Sequence, residues 1–223
     1  VWLFSKKPRL PKRVNGVFYK NRAVWYQFSG HARQVLRVGD FVARRGEHNL
    51  ENLLAASLTA YLAGCSGEQI RRQMATLPEI PFRQEIVYQG KSFGKAQGKL
   101  TIINDTTATS PEGCIAAVKR FGGPRTILIA GGTDRQLDFR QWGRVVPRFI
   151  KPGNFILLEG SATAKMQASL KGGPFSKDKV APPRQTLADC LAAALAQAQA
   201  YGHWVVLFSP GAKSFEKFKN EYD

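Results

Sequence analysis

The sequence has 223 residues, 43% of them apolar and 22% charged, enough for one large domain or two small ones with a buried core. No run approaches the roughly 18 consecutive apolar residues of a membrane helix, and the first residues lack the basic, apolar and small-residue order of a secretory leader. A net charge of +17 attracts polyanions, yet no recognisable nucleic-acid-binding motif accompanies it.

In chain order, the first 45 residues hold 11 lysines and arginines against the single acid Asp40. They alternate apolar and polar residues in the short runs GVFYKN, AVWYQF, QVLRV and DFVARR, which predicts a small antiparallel sheet with a hairpin turn at YKNR. The period then changes. Leu50, Leu53, Leu54, Leu58, Tyr61 and Leu62 fall at helical spacing, Gly64 ends that helix, and Ser66 followed by Gln69 predicts the capped start of a second. Pro78 and Pro81, in PEIPFRQE, end the pair and predict a hinge.

From about residue 84 onward strands and helices alternate. EIVYQG, KLTIIND, TILIAGG, NFILLEG and HWVVLFSPG read as strands. SPEGCIAAVKRF, FRQWGRVVPRFI, ATAKMQASL, TLADCLAAALAQAQAYG and SFEKFKNEYD read as helices or their starts. The later strands are almost wholly apolar, as strands covered on both faces are, so this part is an α/β domain with a mostly parallel sheet.

Ligands of such sheets gather at the carboxyl ends of strands, and four such ends carry polar residues. The first is INDTTATSP, where Ser110 and Pro111 suit the cap and first position of a helix but Asn104, Asp105 and Thr109 have no such explanation. The second is IAGGTDRQLDF, with Asp134, Arg135 and Asp138 behind two glycines. The third is LLEGSAT, with Glu159 and Ser161. The fourth is LFSPGAKSF, where Ser209, Lys213 and Ser214 suit a carboxylate. No catalytic triad, HExxH motif or GxxxxGK[ST] phosphate loop occurs, and His31, His48 and His203 are scattered. Cys65, Cys114 and Cys190 lack metal-ligand spacing and read as buried, reduced thiols of a cytoplasmic protein. Val1 at the start, and Asp223 inside an unfinished helical pattern, predict a piece of a longer product.

Five ordered motifs, GEHNLENLLAASLTAYLAG, PFRQEIV, INDTTATSP, LIAGGTDRQLDF and LFSPGAKSFEKFKNEYD, resemble the Mur ligases, and the last two look most like the member that adds D-glutamate. The resemblance implies that residues 1–81 are the C-terminal part of a central ATP-binding domain and residues 82–223 a C-terminal Rossmann-like domain. It also implies that the whole enzyme uses ATP and Mg²⁺ to activate the carboxylate of UDP-N-acetylmuramoyl-L-alanine as an acyl phosphate. The amine of D-glutamate then attacks, in peptidoglycan precursor synthesis. The implied protein is a cytoplasmic monomer with no membrane or nucleic-acid partner.

By the same resemblance, Asn49 and Asn52 meet the adenine, Arg83 the phosphates and ribose, and Asp105 the ribose hydroxyls. Arg135, Thr109, Ser214 and the amide of Phe215 line the D-glutamate pocket. Thr107 stands where the family commonly carries a lysine, and Arg135 replaces a loop lysine. No catalytic residue and no metal ligand is assigned within this chain, Mg²⁺ being held mainly by the part upstream of Val1. The 223 residues alone are expected to be inactive. The alternatives are a sibling Mur ligase, a folylpolyglutamate-type ligase or, from another class, a basic nucleic-acid-binding module.

Overall fold

A computed structural model of the chain describes residues 1–39, 41–92, 98–170, 180–199 and 202–213. The chain forms two compact units, Val1–Pro78 and Glu79–Asp223.

The first unit carries a four-stranded sheet in the order β1 (Trp2–Ser5), β2 (Asn15–Lys20), β3 (Ala23–Phe28), β4 (His31–Arg37). The last three strands are antiparallel, as the alternation predicted. Two-residue turns join them, with Asn21 and Arg22 at φ 52° and 56° and Ser29 and Gly30 at 48° and 82°. Positive φ at both central residues is the backbone that matches the twist of a tight hairpin. β1 differs from expectation, because it pairs with β2 in parallel.

Three helices follow, α1 (Phe41–Arg45), α2 (Asn49–Leu62) and α3 (Gly67–Ala75). DFVARR was expected as a strand, and the structure corrects this, since its residues 41–45 are α1. Phe41 and Val42 are neighbours that both reach the same apolar cluster, which the two-sided pleat of a strand does not permit. α2 lays Leu50, Leu53, Leu54 and Leu58 against Val17, Val24, Tyr26 and Leu36 of the sheet. Each such burial is worth about 1.5–3 kcal/mol. The capping box of α3 forms as expected: Gln69 N–H donates to Ser66 Oγ at 3.2 Å, and Ser66 N–H to Gln69 Oε1 at 2.7 Å.

The second unit is α/β. Its sheet runs β5 (Glu85–Lys91), β6 (Lys99–Asn104), β9 (His203–Phe208), β7 (Thr126–Gly131), β8 (Phe155–Leu158). β5 is an antiparallel edge, and the other neighbours are parallel. Helices α4 (Pro111–Phe121), α5 (Arg140–Val145), α6 (Thr163–Ser169) and α7 (Leu187–Gln197) connect them. β7 shows why its sequence lacks alternation: Leu128 and Ala130 join a cluster with Cys114, Trp142 and Met166, while Ile127 and Ile129 join one with Cys190 and Ala194. Both faces are covered, so both must be apolar.

Two helices are shorter than predicted. FRQWGRVVPRFI turns from α5 into a 3₁₀ segment, Val146–Arg148, where Pro147 has no N–H for an α-helical bond. The Ala-rich run is helical only to Gln197. The expected helix in SFEKFKNEYD lies outside the described residues. Cys114 and Cys190 are buried, and burial pushes their thiols up to about 12 and about 11, while Cys65 is only half-buried. Among the described residues no helix is long and apolar enough to cross a membrane.

Candidate functional site

In the second unit the carboxyl ends of β6, β7, β8 and β9 open onto loops that bond to one another through their backbones. Asp105 N–H donates to Phe208 O at 2.8 Å, Gly211 N–H to Ala108 O at 2.8 Å, Gly131 N–H to Pro210 O at 3.0 Å and Ala162 N–H to Gly132 O at 2.9 Å. Thr133 and Lys213 form an isolated bridge. The glycines permit this closeness. A Cβ on Gly132 (φ 141°) would stand 2.3 Å from Lys213 O, and one on Gly131 (φ 137°) 2.1 Å from Leu158 O. The four strand ends picked out by sequence, behind β6, β7, β8 and β9, are thus linked in one platform, where Ser161 of the β8 end also receives Asp134 N–H at 2.9 Å.

Asp105 lies at the inner edge of that platform, 2% exposed. Its Oδ1 accepts Gln84 N–H at 3.0 Å and its Oδ2 accepts the hydroxyl of Ser209 at 2.8 Å. Burial raises its carboxyl to about 6; the bonds from Ser209 and Gln84, and the nearby Arg83 and Arg120, oppose that rise. Ser209 is 0% exposed, so it serves Asp105 and not an external carboxylate as its loop position suggested. Gln84 was not singled out from sequence. Its only signal is its place directly after Arg83 in PFRQE.

Thr107 and Thr109 are exposed on the same loop, and the start of α4 is as expected, Gly113 N–H donating to Ser110 Oγ at 3.3 Å. In the β7 loop Asp134 is paired with Lys165, whose ammonium holds it below the usual carboxylate range. Asp138 is paired with Arg140 at 2.7 Å, which brings it down to about 2. Arg135 is the exposed arginine between them. Ser214 and Phe215 lie outside the described residues.

In the first unit Asn49 and Asn52 share the opening turn of α2. Asn49 Nδ2 donates to Arg45 O at 2.6 Å, and its Oδ1 accepts Asn52 Nδ2 at 3.3 Å. His48 Nε2 stands 3.1 Å from Asn49 Nδ2. Asn52 is exposed, and its amide carries both a donor and an acceptor. Among the described residues no group of three or more His, Cys, Asp or Glu side chains could hold a metal ion.

No protein-family model matches the chain. Among curated proteins it is 34% identical to the UDP-N-acetylmuramoylalanine--D-glutamate ligase of Roseiflexus sp. (strain RS-1), over 100% of this chain and 45% of that protein. It is 30% identical to the enzyme of the same name from Thermosynechococcus vestitus, over 95% of this chain and 42% of that protein. Over 95% or more of its length the chain is thus similar to ligases of this name.

It spans less than half the length of these two relatives. Solved Mur ligase structures share the fold. The crystal structure of MurF from Acinetobacter baumannii aligns with a TM-score of 0.56 at 16% identity, over 88% of this chain and 42% of that one. A UDP-N-acetylmuramoylalanyl-D-glutamyl-2,6-diaminopimelate--D-alanyl-D-alanyl ligase structure from the same organism gives 0.53 at 16% identity, over 90% and 42%.

Proposed function

We propose that the chain is the C-terminal part of an ATP-dependent amide ligase that adds D-glutamate to UDP-N-acetylmuramoyl-L-alanine, in the cytoplasm, during peptidoglycan precursor synthesis. The observation that carries this reading is the 34% identity to a protein of that name across the whole chain. In the proposal residues 1–81 end an ATP-binding domain and residues 82–223 form the C-terminal domain. The enzyme works as a monomer.

ATP supplies the activation, because a free carboxylate is a poor electrophile and its acyl phosphate a good one; Mg²⁺ offsets the charge on the phosphates. This chain's residues bind and orient. Asn49 and Asn52 offer amide groups to an adenine edge, and exposed Arg83 suits phosphate and ribose oxygens. Asp105 fits a ribose hydroxyl only through the lone pairs that Gln84 and Ser209 leave on its oxygens, and those two donors fix the direction in which it accepts. Arg135 and Thr109, with Ser214 and the amide of Phe215, take the carboxylates of D-glutamate. The charge of Asp134 and Asp138 is already matched by Lys165 and Arg140, so neither acid opposes an incoming carboxylate at full strength. No Mg²⁺ ligand is assigned within the chain.

The test is ATP-dependent ligation by the whole polypeptide, read as phosphate release that requires both UDP-N-acetylmuramoyl-L-alanine and D-glutamate. Release with another amino acid but not D-glutamate would move the reading to a sibling ligase. The 223 residues alone are expected to give no turnover.

A further inference from the structure

Phe82 and Gln84 are both left-handed, at φ 61° and 51°, a conformation that non-glycine residues avoid. Such a segment persists only where its surroundings over-determine it. Here every backbone N–H of residues 82–84 has an acceptor: Glu85 Oε2 for Phe82 at 2.8 Å, Ile80 O for Arg83 at 3.2 Å and Asp105 Oδ1 for Gln84 at 3.0 Å. The Phe82 carbonyl accepts twice from Thr107, from its backbone N–H and from its hydroxyl, each at 3.1 Å. Arg120 donates to the Gln84 side-chain carbonyl at 3.0 Å, and Gln84 is 8% exposed. The segment is therefore stapled to the loop behind β6 on both sides of Arg83, while Arg83 itself is exposed.

We propose that Thr107 is a positioning residue: its hydroxyl on the Phe82 carbonyl holds the left-handed strap so that Arg83 presents its guanidinium to an anionic ligand in one direction. The proposal rests on the reading that Arg83 meets the phosphates of a nucleotide. Arg83 sits between two strained residues, so relaxation of either φ redirects its side chain. A strap fixed beforehand removes ordering that the ligand would otherwise impose at the cost of affinity.

Two variants separate the hydroxyl from the shape of the side chain. Thr107→Val keeps the shape and removes the donor, and Thr107→Ser restores the donor. In the 223-residue chain, amide exchange at Gln84 is expected to speed up about five-fold in the Val variant, the loss of one modest hydrogen bond, and to return in the Ser variant. Unchanged exchange in the Val variant overturns the proposal. In the whole ligase, Thr107→Val is expected to raise the KM for ATP about five-fold with little change in kcat or in the KM for D-glutamate. Arg83→Gln is expected to raise the same KM further. If Arg83→Gln leaves it unchanged, the reading of Arg83 fails. If Arg83→Gln raises it and Thr107→Val does not, Thr107 positions nothing.

Discussion

The hydroxyl of Ser209 donates to the carboxylate of Asp105 at 2.8 Å, joining the ends of β9 and β6 across 104 residues of sequence. Both residues are buried, so the bond has no water to replace it. Ser209→Ala leaves a buried acceptor with one donor fewer, which costs about 1–3 kcal/mol. Urea denaturation followed by circular dichroism is expected to show a lower midpoint, and an unchanged midpoint would mean that the Gln84 amide alone satisfies the carboxylate.

Asp105 also gives the second unit a pH dependence. Its carboxyl is raised to about 6 from an ordinary 3.8, so between these values the folded form holds a proton that the unfolded form has lost. Its contribution to stability is therefore complete below 3.8 and is lost as pH rises through about 6. Asp105→Asn, which cannot titrate, is expected to flatten the stability profile in that window. Denaturation midpoints at about pH 4.5 and about pH 7 measure it, and a mutant slope equal to the wild-type slope would contradict the assignment.

Gly132 is expected to tolerate no side chain. A Cβ there meets Lys213 O at 2.3 Å with φ at 141°, so Gly132→Ala must push apart the loops behind β7 and β9. A loss of about 3 kcal/mol is expected. Gly153→Ala, with nothing within 4 Å of the new methyl group, serves as the control and is expected to change stability by no more than about 0.5 kcal/mol.

Arg135→Ala in the whole ligase is expected to raise the KM for D-glutamate by about ten-fold or more and to leave the KM for ATP nearly unchanged, because the guanidinium is proposed to meet a carboxylate of the amino acid. Initial rates with each substrate varied in turn decide this. A change confined to ATP would assign the β7 loop to the nucleotide instead.

Local physics explains what the sequence made legible. The capping box at Ser66 and Gln69, the Ser110 cap and the apolar stripe of α2 are interactions between residues three or four apart, and all formed as expected. β1 and α1 were not readable in the same way. The pairing of β1 with β2 is parallel and depends on a connection with no regular pattern, and α1 is a single short turn fixed by a bond from Phe41 N–H to Val38 O at 3.0 Å. At the site, the β6 and β7 loops were visible because polar residues behind an apolar strand stand out. The roles of Gln84 and Ser209 were not visible, because each acts through a partner distant in sequence.

The order of the second sheet has a consequence for how the chain acquires it. β9 lies in the middle, between β6 and β7, yet it is the last of the five strands to leave a ribosome. Until His203–Phe208 arrives, β6 and β7 each expose a row of unpaired amides and carbonyls, an invitation to pair with another chain. Synthesis halted before residue 203 should therefore yield an aggregating product rather than a smaller folded one, and folding of the unit should begin only when the final strand can close the gap.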